Sequence, residues 1–224
     1  MPTLLWNLLL SDRPKEPMMK LFYVPGACSL APHIVLEWIG KPFELGRVER
    51  GKTREPEFLA VNPAGKVPAL IEADGRVLTE AEAILLYLAD KFPDEQLGAS
   101  PTAEARYEMH KWMSYLTGDV HPAFYPYFLP QRYTADEHQY HALREAAYKQ
   151  IDACFQLLDR HMSDRTYIIE DRRTVLDPYL FVFCRWGKSL PTPFTGYSNL
   201  HRFLTQIIED AGVQRAMQAQ GITF

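Results

Sequence analysis

The order of hydrophobic and polar residues divides the chain into two parts with different periodicities. In the first part, short apolar runs ended by turn residues predict strands, and apolar residues at three- and four-residue steps predict helices. These patterns predict strands over 20–24, 43–49, 66–72 and 76–78, helices over 27–39 and 79–91, and an irregular stretch over 51–62. A strand, helix and strand followed by a hairpin and a helix predicts a small mixed sheet with helices packed on it.

Two local signals fix details of this first part. Asp74-Gly75, between the last two predicted strands, is a strong hairpin signal. Thr79 and Glu82 have the spacing of a capping box, in which a Thr side chain and a Glu side chain cap the first turn of a helix. We therefore expect a helix to begin at Thr79.

The second part of the chain is almost entirely helical in pattern. It begins after a connector over 92–101 that contains Pro and Gly. Long amphipathic helices are predicted over 102–120 and 134–162, separated by HPAFYPYFLP, and shorter helices over 179–188, 200–210 and 213–220. Thr174 and Asp177 form a second capping box. The predicted organisation is thus an α/β domain over 20–98 and an all-α domain over 102–224.

Residues 1–19 differ in character from the rest of the chain. They contain LLWNLLL and then a polar stretch broken by proline, without a basic segment before the apolar run or a small-residue cleavage site after it. We expect an N-terminal extension outside the fold rather than a secretory signal.

Composition and charge restrict the class of protein. The 224 residues are 47% hydrophobic and 23% charged, which is ordinary for a globular protein. A net charge of -4 without a basic patch argues against nucleic-acid binding, and no apolar run reaches the roughly 18 residues that span a bilayer. Three widely spaced cysteines cannot form a disulfide framework, which favours a reducing, cytoplasmic location. No histidine pair has metal-ligand spacing, so no metal is expected.

Cys28 is the first candidate for chemistry. It comes after a strand and the Pro25-Gly26 turn and lies where a helix is predicted to begin. Unpaired N–H groups at a helix N-terminus favour a thiolate. The alternative is that an isolated cysteine is a small buried apolar residue. Because no second cysteine lies within three residues, any disulfide partner of Cys28 would be an external thiol.

Two further candidates involve backbone groups that could bind a ligand. Pro68 lies inside an apparent strand, and a cis Val67-Pro68 bond would leave the Val67 N–H and C=O free to pair with an extended peptide. Glu80 lies just inside the predicted cap at Thr79. The helix dipole satisfies a carboxylate there without any ligand, although the neighbouring N–H groups would also suit a ligand carboxylate.

These candidates lie in segments that together resemble a known family. The segments are KLFYVPGACSL at 20–30, VNPAGKVPAL at 61–70, LTEAEAILLYL at 78–88 and TVLDPYL at 174–180. In this order they resemble the bacterial, beta-class glutathione S-transferases over roughly residue 20 to the C-terminus. The resemblance implies a thioredoxin-like N-terminal domain that holds glutathione, a helical glutathione-transferase C-terminal domain that completes the electrophile pocket, and a homodimer.

The resemblance also implies roles for individual residues. Cys28 matches the cysteine beside the glutathione sulfur, and His121 matches a histidine near the thiol. The residues implied in glutathione binding are Val67 for the cysteinyl backbone, Pro68 as the cis-proline, Glu80 and Ala81 for the γ-glutamyl end, and Lys52 for the glycine carboxylate. At a helix end, the His121 imidazole can donate to a thiolate or shuttle its proton.

An aromatic group in the helical part is the predicted pocket for the second substrate. Its members are Trp112, Phe124, Tyr125, Tyr127, Phe128 and Trp186. The alternative for each of them is ordinary helix or loop core.

The chain departs from the family pattern at several positions. Ala81 replaces a common Ser, and Pro122 comes after His121 where Lys is frequent. Ser114 and Asp119 stand where Asn and Glu often contact glutathione across the dimer, and Glu170 and Arg173 replace a Gly and a Phe before the second capping box. These changes bear on glutathione affinity and cross-subunit contacts more than on the fold.

The function implied is conjugation of the glutathione thiol to small apolar electrophiles, as in detoxification. Glutathione is then a co-substrate, and no metal, nucleic acid or membrane takes part. Two alternatives stay open: thiol-disulfide exchange through a Cys28 mixed disulfide, and a carrier that binds apolar ligands without catalysis.

Overall fold

A four-stranded mixed sheet forms the centre of the N-terminal part in the computed structural model, which describes residues 18–191 and 194–223. The strands are β1 (Met19–Tyr23), β2 (Phe43–Arg47), β3 (Ala69–Ile71) and β4 (Val77–Thr79), in the order β2-β1-β3-β4. β1 pairs parallel to β2 and antiparallel to β3, and β3 pairs antiparallel to β4. Most of the predicted extension over 1–19 lies outside the described residues, but Met19 already belongs to β1.

The two faces of the sheet are covered by helices. Leu21 and Leu70, which are paired across β1 and β3, belong to the same core as residues of α1 (Leu30–Ile39) and α3 (Ala81–Lys91). On the opposite face, Phe22 meets Phe58 of α2 (Pro56–Leu59), with ring centroids 5.9 Å apart. Alternate residues of a strand point to opposite faces, so the period-2 pattern of β1 supplies both cores.

Three predicted boundaries in this part are wrong. The stretch predicted as irregular over 51–62 contains α2, whose first residue is Pro56, a residue well suited to the first helical turn. β3 begins at Ala69, because Pro68 has no N–H to donate to the sheet. Residues 27–29 form turns that precede α1, with Ala27 N donating to Val24 O at 3.0 Å and Leu30 N to Ala27 O at 3.0 Å.

The capping box predicted at Thr79 and Glu82 is also wrong. Thr79 is the last residue of β4, where it pairs with Ala69 of β3. Glu80 is the residue that precedes α3, and it makes no side-chain capping hydrogen bond. Thr79, which the local pattern assigned to the helix cap, therefore belongs to the sheet instead.

The remaining chain is helical, as predicted. Its helices are α4 (Ala103–Tyr115), α5 (His121–Phe128), α6 (Tyr140–His161), α7 (Leu176–Gly187), α8 (Ser198–Ile207) and α9 (Ala211–Gln220). HPAFYPYFLP was expected to separate two helices, but most of it forms α5, which a π-helical turn, Leu116–Val120, joins to α4. Pro122 lies in the first turn of α5, directly after the π-helical turn, and has no N–H to donate to that turn. The predicted α/β plus all-α, thioredoxin-like architecture is confirmed.

The second capping box is confirmed and anchors α7 in the core. Thr174 N donates to Asp177 Oδ2 at 2.7 Å, and Leu176 N donates to Thr174 Oγ1 at 3.3 Å. Ile168 N donates to the other Asp177 oxygen at 3.0 Å. From this buried start, α7 runs against α1 and brings its C-terminal end to the turn before Cys28. No helix among the described residues is long and apolar enough to cross a membrane.

Candidate active site

Cys28 lies in the turn before α1 and is almost completely buried. Its thiol donates to the carbonyl oxygen of Val67, with Sγ and O 3.4 Å apart. Burial raises the pKa of Cys28 to about 12, although hydrogen bonds from the N–H groups of Cys28 and Ser29 oppose the shift. The sequence left a thiolate and a buried apolar cysteine as alternatives; burial agrees with the second, because the loss of hydration raises the pKa more than the N–H groups at the helix start lower it. Cys28 is therefore a neutral hydrogen-bond donor at neutral pH.

The Val67-Pro68 bond is cis, as predicted. Asn62 holds the preceding loop: its Nδ2 donates to Lys66 O at 2.6 Å, and its Oδ1 accepts from Ala64 N at 3.0 Å. Among the described residues, the Val67 N–H has no acceptor. The backbone beside Cys28 thus has a free donor that an extended peptide could engage.

Glu80 has an unusual backbone conformation at the start of α3. Its φ of 68° lies in the left-handed region that favours glycine, and its side chain is exposed. The carboxylate does not cap the helix, but its charge contributes to the raised pKa of Cys28. Ala81, the first residue of α3, is buried. A carboxylate held at a strained position next to the thiol site is a feature typical of ligand binding.

His121, at the start of α5, is oriented by a tyrosine that the sequence analysis missed. Its Nδ1 lies 3.0 Å from the hydroxyl of Tyr179 in α7. Burial lowers the pKa of His121 to about 4, with a further contribution from the charge of Lys66, and burial raises the pKa of Tyr179 well above its usual range. Both groups are therefore neutral near pH 7. The bond between them can form in two ways: the Tyr179 hydroxyl donates to Nδ1, which leaves the ring proton on Nε2, or Nδ1–H donates to the hydroxyl oxygen.

Aromatic residues surround the His121 ring. Tyr125, Phe183 and Trp186 lie with ring centroids 5.1, 5.4 and 5.4 Å from it. Phe124 and Phe128 extend the group, with centroids 5.3 and 5.9 Å from Trp186. The structure thus brings together Phe124, Tyr125, Phe128 and Trp186 beside His121. Phe124 is completely buried, which is the alternative of ordinary core, whereas the other three are partly exposed.

Two other residues of the predicted aromatic pocket make different contacts. Trp112 has ring contacts with His161, at 3.9 Å between centroids, and with Tyr115, rather than with the aromatic group around His121. Its predicted place in the pocket is wrong, because the face of α4 that carries it turns toward α6. Tyr127 donates its hydroxyl to Ser189 O at 3.0 Å and meets Phe128 at 5.4 Å.

The C-terminal part also holds the turn that precedes Cys28. Trp186 Nε1 donates to Gly26 O at 2.9 Å, and Gly26 N donates to Gln220 Oε1 at 3.0 Å. Gln220 Nε2 in turn donates to Nδ1 of His33 in α1 at 3.0 Å. Gln220 lies outside every motif of the sequence, and TVLDPYL, which contains Tyr179, indicated only a helix start. The roles of both residues depend on contacts across more than fifty residues of chain.

Lys52 is exposed and forms an ion pair with Glu55, with Nζ and Oε1 3.0 Å apart. Its loop does reach the site, because Thr53 O and the Arg54 side chain lie against Gly65. The lysine whose charge acts on Cys28 and His121 is nevertheless Lys66. The structure therefore does not bring Lys52 itself to these two residues.

Two departures from the family pattern have local partners. Glu170 adopts a φ of 55°, accepts from Ser100 N at 2.8 Å and pairs with Arg172 at 2.6 Å. Arg173 pairs with Asp210 at 2.9 Å and lies over the Trp38 ring at 4.7 Å. Both residues stabilise the approach to α7 by contacts that a Gly and a Phe could not make. In the part of the chain that the structure describes, no group of three His, Cys, Asp or Glu residues is arranged to hold a metal ion.

Comparisons with known proteins agree with this geometry. The N-terminal domain family of glutathione S-transferases matches residues 26–91, and the C-terminal domain family matches residues 119–210. A glutathione S-transferase of Xanthomonas campestris is 39% identical over 204 residues, which cover 91% of this chain and 100% of that protein.

Two solved structures extend the comparison to the fold. A bacterial beta-class glutathione S-transferase of Sphingomonas chungbukensis has a TM-score of 0.82 and 35% identity, covering 91% of this chain and 100% of that one. A sphingomonad glutathione S-transferase complexed with glutathione has a TM-score of 0.81 and 34% identity over the same shares. The chain therefore belongs to the glutathione S-transferase family of enzymes, and within it to the bacterial, beta-class-like type.

Proposed function

We propose that this enzyme binds glutathione beside Cys28 and transfers its sulfur to small apolar electrophiles. The observation that carries the proposal is that Trp186 joins the turn before Cys28 to the ring of His121, so a thiol and an imidazole that are both neutral near pH 7 belong to one site. A glutathione-bound relative with 34% identity supports the ligand. In the proposed complex, the Val67 N–H pairs with the cysteinyl backbone of glutathione, and Glu80 accepts from its γ-glutamyl ammonium. Binding of the glycine carboxylate by Lys52 would require its ion pair with Glu55 to open.

The two donors act on the thiolate rather than on the thiol. In the proposed complex Tyr179 donates to Nδ1 of His121, so that the Cys28 thiol and the His121 Nε2–H both donate to the glutathione sulfur once it has lost its proton. Each hydrogen bond to an ionised group contributes about 1.5–3 kcal/mol, and about 1.36 kcal/mol corresponds to one pKa unit. Two such donors would lower the thiol pKa enough for the thiolate to predominate near neutral pH.

The protonation of Cys28 separates conjugation from thiol-disulfide exchange. A thiol with a pKa of about 12 is a poor nucleophile at pH 7, because only the thiolate attacks a disulfide. Conjugation needs Cys28 only as a donor, and the partly exposed rings of Tyr125, Phe128 and Trp186, packed on the buried Phe124, supply an apolar surface for the second substrate. The geometry thus favours conjugation as the main activity.

Replacement of Cys28 tests this assignment. Cys28→Ala should leave measurable conjugation of an aryl chloride, reduced by the roughly 10- to 150-fold that one charge-assisted hydrogen bond represents. Difference absorbance of the glutathione thiolate should show its pKa rising in the variant. Loss of glutathione-dependent disulfide reduction with unchanged conjugation would instead favour the exchange activity. If the rates of both reactions equal the uncatalysed rates and do not change in a Cys28→Ala, His121→Ala double variant, both activities are contradicted and a carrier is favoured.

The cellular setting is proposed from the family. We propose a cytoplasmic homodimer with a role in detoxification. Light scattering should give twice the mass of one chain at micromolar concentration, and the mass of a single chain would contradict the dimer.

A further inference from the structure

Two arginines from different parts of the chain meet at the turn before Cys28. Arg50, after β2, donates from Nη2 to Pro25 O at 3.1 Å. Arg185, in α7, places Nη1 3.0 Å from the position that a Cβ on Gly26 would occupy. Both guanidinium groups therefore lie against one dipeptide, two residues before Cys28.

These two arginines have no counterion among the described residues. No carboxylate forms an ion pair with either of them, and the Nε of Arg185 is buried without a hydrogen-bond partner. The nearest acid in sequence, Glu49, is bound by Arg47 at 2.8 Å. Burial and the charge of Arg50 both lower the pKa of Arg185.

Two other arginines with partly buried side chains do have carboxylate partners. Arg172 and Arg173, which are similarly half-buried or partly exposed, are paired with Glu170 and Asp210 at 2.6 and 2.9 Å. A charge that loses hydration is costly unless an opposite charge or hydrogen bonds replace the water. A half-buried arginine with a second arginine beside it has the electrostatic character of an anion-binding site.

The arginine pair borders the proposed pocket for the second substrate. The carbonyl of the same Gly26 accepts from Trp186 Nε1 at 2.9 Å. Trp186 meets His121 and Phe124, with ring centroids 5.4 and 5.3 Å away. An aromatic electrophile against Trp186 would thus have the thiol site on one side and the two guanidinium groups at the rim.

We propose that Arg50 and Arg185 bind a carboxylate carried by the second substrate. The preferred electrophile is then amphipathic, with an apolar reactive ring or chain and an acidic group. This inference rests on the conjugating activity proposed above. Guanidinium groups bind carboxylates through paired, charge-assisted hydrogen bonds, so the arginines would orient the electrophile as well as attract it. The glycine carboxylate of glutathione has the same chemistry and is the alternative source.

A matched pair of electrophiles tests the proposal: 4-chloro-3,5-dinitrobenzoate and its methyl ester. In both reactions the glutathione sulfur forms a bond to the ring carbon, and chloride leaves with the bonding electrons. The wild-type enzyme should have a higher kcat/KM for the acid, relative to the uncatalysed rates, than for the ester. Arg185→Gln and Arg50→Gln should each lower this selectivity about tenfold, mainly by raising the KM for the acid. Arg185→Lys should retain part of the selectivity. The matched control is Arg47→Gln, because Arg47 is the last residue of β2, just before Arg50 in the chain.

Each other outcome has a definite meaning. If the arginine variants lose the same factor in kcat/KM for the acid and for the ester, the proposal is overturned and the variants are structurally damaged. A raised KM for glutathione with both electrophiles would overturn it and assign the arginines to the glycine carboxylate. If neither electrophile reacts, the conjugating activity itself fails. Calorimetric titration of the glutathione-loaded protein then decides the arginine site separately, because binding of acid and ester with equal affinity would overturn it. Arg50→Gln alters an exposed residue, so the test survives if Arg185→Gln does not fold.

Discussion

Acid should destabilise this protein through His33, a completely buried histidine of α1. Burial lowers the pKa of His33 to about 4, and Glu37, 3.8 Å away, offsets only part of the shift. In the unfolded chain the same ring takes up a proton near pH 6.5. Since the unfolded state binds the proton more readily, the contribution of His33 to stability is complete above pH 6.5 and is lost as the pH falls toward 4.

The size of the effect is set by these two pKa values. At pH 5, preferential protonation of the unfolded state lowers the free energy of unfolding by about 2 kcal/mol through His33 alone. His121, whose pKa is also lowered to about 4, contributes a similar amount. Between pH 7 and pH 5, the free energy of unfolding should therefore fall by about 2 kcal/mol less in His33→Gln than in the wild type.

Urea unfolding followed by tryptophan fluorescence at pH 7, 6 and 5 and constant ionic strength measures this difference. The variant will be less stable at pH 7 because it loses core packing, so the informative quantity is the change with pH. Burial raises the pKa of Asp177 to about 6, so protonation of Asp177 stabilises the folded state as the pH falls. This contribution is the same in the wild type and in His33→Gln, so it cancels in their difference. His141→Gln, at an exposed side chain, is the matched control. An identical dependence on pH in wild type and His33→Gln would refute the reasoning.

Three further predictions concern the site and its supports. Tyr179→Phe removes the proposed donor to His121 Nδ1, so kcat/KM for conjugation should fall about 2- to 10-fold and its pH profile should shift upward. An unchanged pH profile would contradict the proposed donation from Tyr179. Glu80→Gly relieves the strain of a positive φ, so it should not lower the free energy of unfolding. The KM for glutathione should rise, and an unchanged KM would exclude Glu80 from glutathione binding. Asp177→Ala leaves the buried N–H groups of Ile168 and Thr174 without acceptors, so the free energy of unfolding should fall by about 2–4 kcal/mol. Urea titration measures this change, and Asp164→Ala, at an exposed side chain, is the control.

The sequence alone was sufficient for features that depend on neighbouring residues. Apolar periodicity located the strands and helices, and Asp74-Gly75 and the Thr174 and Asp177 pair marked a hairpin and a helix start that the structure confirms. The proline inside an apparent strand led to the cis bond at Pro68. These features are determined locally, because turn chemistry and side-chain period act over a few residues.

Local patterns were misleading where distant residues compete for the same groups. Thr79 could cap a helix or pair in a strand, and pairing with Ala69 decided between them. Trp112 had the right residue type for the pocket, but the orientation of α4 placed it against His161. The sequence does not specify which face of a helix meets which neighbour.

The chemistry of the site was decided by the tertiary structure. The position of Cys28 at a helix start left a thiolate and a buried thiol as alternatives, and the complete fold decides between them by burying the sulfur against Val67. The His121 ring is oriented by Tyr179, and the turn before Cys28 is held by Gln220. Residue type and local position can be read from the sequence, whereas hydration and hydrogen-bond partners depend on segments that meet only when the chain folds.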